Sequence, residues 1–436
     1  MSGIEIGALA CAGMLLLMFL RVHIASAMLL AGAVGYLSLA GWDPLMNYFK
    51  SAAYARFSVY DLSVIPLFLL MGQFATKGGM SRALLRGAHA LVGQLRGGLA
   101  MAGIGASAGF GAICGSSLAT AATIGQTALP EFKKAGYHPR LSGAALAAGG
   151  TLGILIPPSV PLVLYAILTE QNIGKLFIAA FIPGFLAVLG YLIVISIVAR
   201  RHPEWAPTTP SMPLKERARA LIDTWQALVV FVLVIGGIYS GFFTTNEAAA
   251  VGVLATGAFA WLGGGLKNGV FWNCLMDTAK TTGMLFFILI GADMFNVFLA
   301  LSGMPAALAE TVTSWKLEPM LVLLAVLVLY VLLGCVMDSI SMLLLTMPIF
   351  FPMLMGLDFY GLTETQKAIW FGVIALSTVE MGLITPPVGM NVYVISSLSK
   401  DVPMSEVFKG IFPFLISDVV RIGLMLAFPA IVLYLL

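Results

Sequence analysis

A chain of 436 residues in which 60% of side chains are hydrophobic and only 10% charged, with a mean hydropathy of +1.00, has more apolar surface than a water-soluble core can hide; lipid is its solvent. The net charge of +3 is small, and nothing in the charge pattern supports nucleic-acid binding. Cys11, Cys114, Cys274 and Cys335 lie far apart in or near apolar segments without paired spacing, which points to neither a disulfide framework nor a zinc site.

In chain order, the first apolar run begins at Ile4 with no basic residue before it and reaches Arg21 without a small-residue cleavage site, so it is expected to be a retained span. A spanning helix needs about 20 mostly apolar residues. Runs of that kind predict spans near 4–20, 24–41, 62–76, 140–169 and 175–199. Between the third and fourth, residues 98–134 are too rich in Gly, Ala and Ser for one lipid-facing helix and are flanked by basic clusters, which predicts a re-entrant helical hairpin. After the polar link 200–223, spans are expected near 225–242, 246–265, 281–301, 367–398 and 405–436, with a second hairpin at 319–353.

Landmarks recur between the halves: Gly72 with Gly291, Cys114 with Cys335, Pro157-Pro158 with Pro386-Pro387, and Pro183 with Pro413. Five spans is an odd number, so a second copy of the unit is inserted upside down. The expectation is an all-α integral membrane protein of two inverted repeats, 1–215 and 216–436, the architecture of secondary transporters. With the N-terminus outside, predicted cytoplasmic loops hold 17 of the 23 Lys and Arg residues, external loops hold five, and Arg421 lies within the last span. This asymmetry follows the positive-inside rule.

An interrupted spanning helix frees backbone groups at membrane depth, which is tolerated where they line a protein-buried site. The fourth span of the first half breaks at Gly149 to Ser159 and its counterpart at Val379 to Gly389, and paired Gly/Pro breaks mark an ion and substrate site. The hairpin tips, Cys114 to Thr123 and Cys335 to Pro348, are expected opposite the breaks. Their hydroxyl and carboxylate oxygens are hard ligands suited to Na+, which makes Ser116, Ser117, Thr120, Asp338, Ser339 and Ser341 candidates. Free helix N-termini at the tips also suit a substrate carboxylate. Acids inside membrane segments are functional candidates by default: Glu380 is open to three roles, ligating a cation, accepting a proton, or bracing exposed amides. Glu247, three residues after Thr244, reads as a helix cap, and Asp418 and Arg421, at i and i+3, read as a pair.

The stretches "GASAGFGAICGSSLATAATIG", "GILIPPS", "GIYSGFFTTNEAAAVG" and "EMGLITPPVGMN", in that order over nearly the whole chain, resemble the large membrane subunit (DctM-like) of the tripartite ATP-independent periplasmic (TRAP) transporters. The resemblance implies a Na+-driven, elevator-type importer in the bacterial inner membrane, with the hairpins and broken helices moving against a scaffold. It implies two separate partners, a small four-helix membrane subunit and a periplasmic substrate-binding protein. It also implies a small organic acid as cargo, such as a C4-dicarboxylate or a sialic acid. The family's site maps onto Gly115, Ser116, Ser117 and Thr120; onto the first break, with Gly153, Pro157, Pro158 and Ser159; onto Asp338, Ser339 and Ser341; and onto the second break, with Glu380, Gly382, Thr385 and Pro386. Ser117, Thr120, Asp338, Ser341 and Thr385 are the Na+ candidates, and no other cofactor is expected. The first tip and first break have no acid where the second tip has Asp338 and the second break has Glu380, so two cation sites need not be equal.

The alternative is a self-sufficient ion-coupled carboxylate carrier of related architecture. A membrane-embedded enzyme is disfavoured: His23, His89, His138 and His202 all map to predicted cytoplasmic loops, and HExxH does not occur.

Overall fold

A computed structural model describes residues 2–208, 212–314 and 317–436, leaving aside the side chains at 308, 309, 312 and 313. Lys316, counted above among the external basic residues, lies outside the described residues. Every regular element among the described residues is helical. Four helices are long and apolar enough to cross a bilayer, Ile173–Arg201, Leu214–Tyr239, Val270–Ser302 and Met404–Ala427. Two bent pairs, Trp42–Phe57 with Tyr60–Lys77 and Pro139–Leu155 with Val160–Leu168, raise the number to six. The sequence suggests ten spans, and the difference has physical causes. Gly3–Phe19 and Ile24–Ala40 have 17 residues each, a rise of about 26 Å at 1.5 Å per residue. Glu364–Gly382 and Met390–Leu398 are separated by the non-helical 383–389, and Thr245–Leu262, the expected span 246–265, opens on the polar Asn246 and Glu247.

The chain forms two compact units, each drawing on both halves of the sequence. The first comprises Met1–Ser63, Ala279–Leu329 and Ile340–Ala368; the second comprises Val64–Thr278, Tyr330–Ser339 and Ile369–Leu436.

In the first unit, small residues let helices cross at backbone distance, the usual solution where lipid offers no hydrophobic drive for helix association. A methyl group added at Gly32 would stand 2.8 Å from the Phe295 amide nitrogen. Arg56 pairs with both oxygens of Asp293 inside this unit. An acid at this depth is costly to bury alone, and the guanidinium fork satisfies it in bidentate fashion.

In the second unit, segment 98–134 is the helix pair Gly98–Cys114 and Ser117–Lys134, and 140–169 is the pair Pro139–Leu155 and Val160–Leu168, bent by 42°. The first helix ends because Gly115 takes a left-handed conformation at φ 64°, which glycine adopts without a Cβ penalty. Ser116 then caps the next helix, accepting from the Ala119 amide. A methyl group at Gly111 would lie 2.6 Å from the Gly153 Cα, so hairpin and broken helix meet at their glycines. Glu247 and Thr244 form a reciprocal capping box.

Candidate functional site

The first tip, both breaks and Cys335 to Ser339 of the second tip fall within the second unit; the rest of the second tip, from Ile340 through Ser341 to Pro348, belongs to the first. At the first tip, the Gly115 carbonyl accepts from the Val160 amide at 3.4 Å, joining the tip to the residue that follows the first break. At the second tip the Cys335 carbonyl accepts from the Gly389 amide at 3.1 Å, and the Cys335 thiol donates to the Pro386 carbonyl at 3.3 Å. The same kind of backbone link thus recurs between tip and break in both halves, and both prolyl pairs, Pro157-Pro158 and Pro386-Pro387, are cis.

These contacts are close because the facing residues are glycines. A methyl group at Gly153 would lie 2.7 Å from the Ser116 carbonyl oxygen and 2.5 Å from the Thr120 hydroxyl, and one at Gly382 would lie 2.8 Å from the Gly334 Cα. Ser159 is fully buried and caps the helix after the first break, accepting from the Leu162 amide. Thr385 donates to the Met381 carbonyl at 2.6 Å. Asp338 is half-buried and stands immediately before the first residue, Ser339, of helix Ser339–Met355.

One carboxylate links the two tips. Glu380 is 0% exposed; its Oε2 accepts from the Ser117 hydroxyl and its Oε1 from the Ser339 hydroxyl, the latter at 2.7 Å. The residues are 263 and 41 positions away in sequence. Both oxygens of Glu380 are thus engaged by side-chain hydroxyls, rather than by the backbone amides that the bracing role supposes.

Sequence reasoning passed over Asn391, which lies within the "PPVGMN" stretch. Its amide nitrogen donates to the Ala147 carbonyl at 3.2 Å. That bond fixes the orientation of the amide, since a flip would set two acceptors together. Its Oδ1 is buried with no hydrogen-bond partner, an uncommon state for a buried acceptor and a suitable ligand for a hard cation. A methyl group on Gly150 would stand 2.9 Å from the Asn391 amide nitrogen and 3.2 Å from the Ser117 carbonyl oxygen, so Asn391 reaches the first tip's helix from the second break. The available signal was a buried-type amide one residue into the helix that follows a Pro-Pro interruption.

The sequence matches, over residues 11–431, the family described as tripartite ATP-independent periplasmic transporter, DctM component. The chain belongs to this family. It is 37% identical over 373 residues to the C4-dicarboxylate TRAP transporter large permease protein DctM of Pseudomonas aeruginosa, covering 85% of each chain. It is 31% identical over 376 residues to the sialic acid TRAP transporter large permease protein SiaM of Vibrio cholerae, covering 85% of this chain and 84% of that one. The fold is similar to the crystal structure of the YdaH transporter of Alcanivorax borkumensis, with a TM-score of 0.64 at 15% identity, covering 95% of this chain and 97% of that one. The chain is therefore a multi-pass TRAP large permease, and its relatives are transporters rather than enzymes.

A second buried polar group of this TRAP permease lies within the same unit. Asp418 and Arg421 pair at 2.8 Å with both side chains buried. The Tyr191 hydroxyl donates to Asp418, and Thr151, on the broken helix between Gly149 and Gly153, is 3.1 Å from that hydroxyl. The pair expected from the i, i+3 spacing is thus extended across three helices to the first break.

Proposed function

We propose that this permease imports a small organic anion, a carboxylate, by coupling to the inward movement of Na+ across the bacterial inner membrane, with its N-terminus on the periplasmic side. The observation that carries this reading is the gathering of the first tip, both breaks and the first residues of the second tip in one compact unit, where uncommitted oxygen ligands lie beside helix N-termini. Asn391 Oδ1 has no hydrogen-bond partner, and the helices starting at Ser117 and Ser339 begin at the tips. Oxygen atoms of this kind replace the hydration shell of a small cation, while helix N-termini favour a carboxylate. Because one unit holds these groups, it moves as a body and carries ion and anion together, as an elevator does.

The carboxylate class is supported by the substrates in the relatives' names, C4-dicarboxylate and sialic acid. The tripartite family name supports two further proteins, a small membrane subunit and a periplasmic binding protein that delivers the anion. Uptake of radiolabelled C4-dicarboxylates and sialic acid into proteoliposomes holding this permease, with and without each partner, tests the reading. Uptake that needs both partners is expected; robust uptake by this chain alone would establish the self-sufficient carrier instead.

A further inference from the structure

Resting on the Na+-coupled reading, we infer that Glu380 is a positioning residue that commits the hydroxyl protons of Ser117 and Ser339, so that both tips face the coupling site with lone pairs and serve a cation rather than the anion. A serine hydroxyl has one proton and two lone pairs, whereas an ionised carboxylate only accepts. The Ser117 proton goes to one oxygen of Glu380 and the Ser339 proton to the other. Neither hydroxyl then has a proton left for a second acceptor. A substrate carboxylate, itself acceptor-only, gains nothing from these oxygens, while Na+ does.

Three features of the structure support this division of labour. Glu380 is completely buried, and a buried carboxylate is held in place by its donors; here the donors come one from each hairpin. Both serines are the first residues of their helices, so each hydroxyl is fixed at its hairpin tip. Finally, Ser117 and Ser339 are themselves buried, at 1% and 4% exposure, so water does not compete for their protons. Substrate recognition is thereby left to other groups at the tips and breaks, such as backbone amides.

Glu380→Gln tests this, because the amide keeps the shape and removes one acceptor. A glutamine accepts from one serine but must donate to the other, turning that serine's proton outward toward the cation. The Na+ concentration for half-maximal uptake by the complete transporter is expected to rise about tenfold or more, the scale of a lost hydrogen bond to a charged group. The substrate KM at saturating Na+ should change by no more than about twofold. Ser117→Ala and Ser339→Ala should each weaken Na+ dependence in the native background. In the Glu380→Gln background, one of them should have no further effect, since the coupled residues act as a unit. Where Glu380→Gln fails to reach the membrane, Glu380→Asp, which is one methylene too short to span both serines, should show the same split between Na+ and substrate. Wild-type uptake indifferent to Na+ would overturn the Na+-coupled reading itself. Na+-dependent wild-type uptake with an unchanged Na+ requirement in the Glu380 variant, or a variant whose substrate KM shifts instead, would overturn this inference alone.

Discussion

Gly153→Ala probes the contact between the first tip and the first break. The added methyl would stand 2.5 Å from the Thr120 hydroxyl and 2.7 Å from the Ser116 carbonyl oxygen. The hydroxyl can rotate aside, but the carbonyl is backbone at the hairpin tip, so the tip must retreat. Overpacking of this kind costs about 1–3 kcal/mol. If the tip holds the same position with and without ligand, the whole cost falls on stability. At about 2–4 °C per kcal/mol for a domain of 150–250 residues, the unfolding midpoint of the purified protein then drops by several degrees. If the tip closes on Gly153 only when an ion is bound, the same energy appears as a rise of about 5–150-fold in the Na+ required for half-maximal uptake. Gly423→Ala is the control: it lies in a helix where an added methyl meets nothing within 4 Å, and neither quantity should worsen. A Gly153→Ala protein that matched Gly423→Ala in both thermal unfolding and Na+ titration would refute the claim that tip and break touch here.

Ser117→Ala and Asp338→Ala should each reduce Na+-driven uptake by about tenfold or more while leaving the protein in the membrane; if both transport normally, the tips are not the coupling site. Arg421→Met leaves Asp418 buried without its partner and should cost about 3–5 kcal/mol. The double variant Asp418→Asn with Arg421→Met should recover most of that in thermal unfolding, and a double variant as unstable as the single would show that the pair is not the issue. Lys133 donates to Asp401 at 2.6 Å on the predicted cytoplasmic side and holds that carboxyl below its usual range. A carboxyl whose folded pKa is depressed contributes stability that is complete above the unfolded value of about 3.9 and is lost as pH falls through the folded value. Lys133→Ala should therefore have the same small effect on thermal unfolding at about pH 5 and about pH 8; a difference across that window would contradict the assignment.

Much of this layout was legible in the chain because membrane depth punishes irregularity. Gly115-Ser116 and the two Pro-Pro interruptions are the places where a helix cannot continue, and each stands between two helices of the structure. The Asp418 and Arg421 pair and the Glu247 cap could be read because both depend on spacing within one helix. What could not be read depends on contacts between distant segments. Nothing local says that Glu380 receives one serine from each hairpin, or that Asn391 reaches the Ala147 carbonyl 244 residues away. Arg56 and Asp293 were equally hidden, one in a predicted loop and the other inside an apolar run. Periodicity cannot show how the compact units interleave the two halves, and that division leaves Ser341 outside the unit that holds Ser339.

The most direct test of the account is uptake of a labelled carboxylate by proteoliposomes containing this permease and both partners, measured with an inward Na+ gradient and again with equal Na+ on both sides. Accumulation above the external concentration is expected with the gradient and should vanish without it. Accumulation that persists when the Na+ gradient is abolished would contradict Na+-coupled transport.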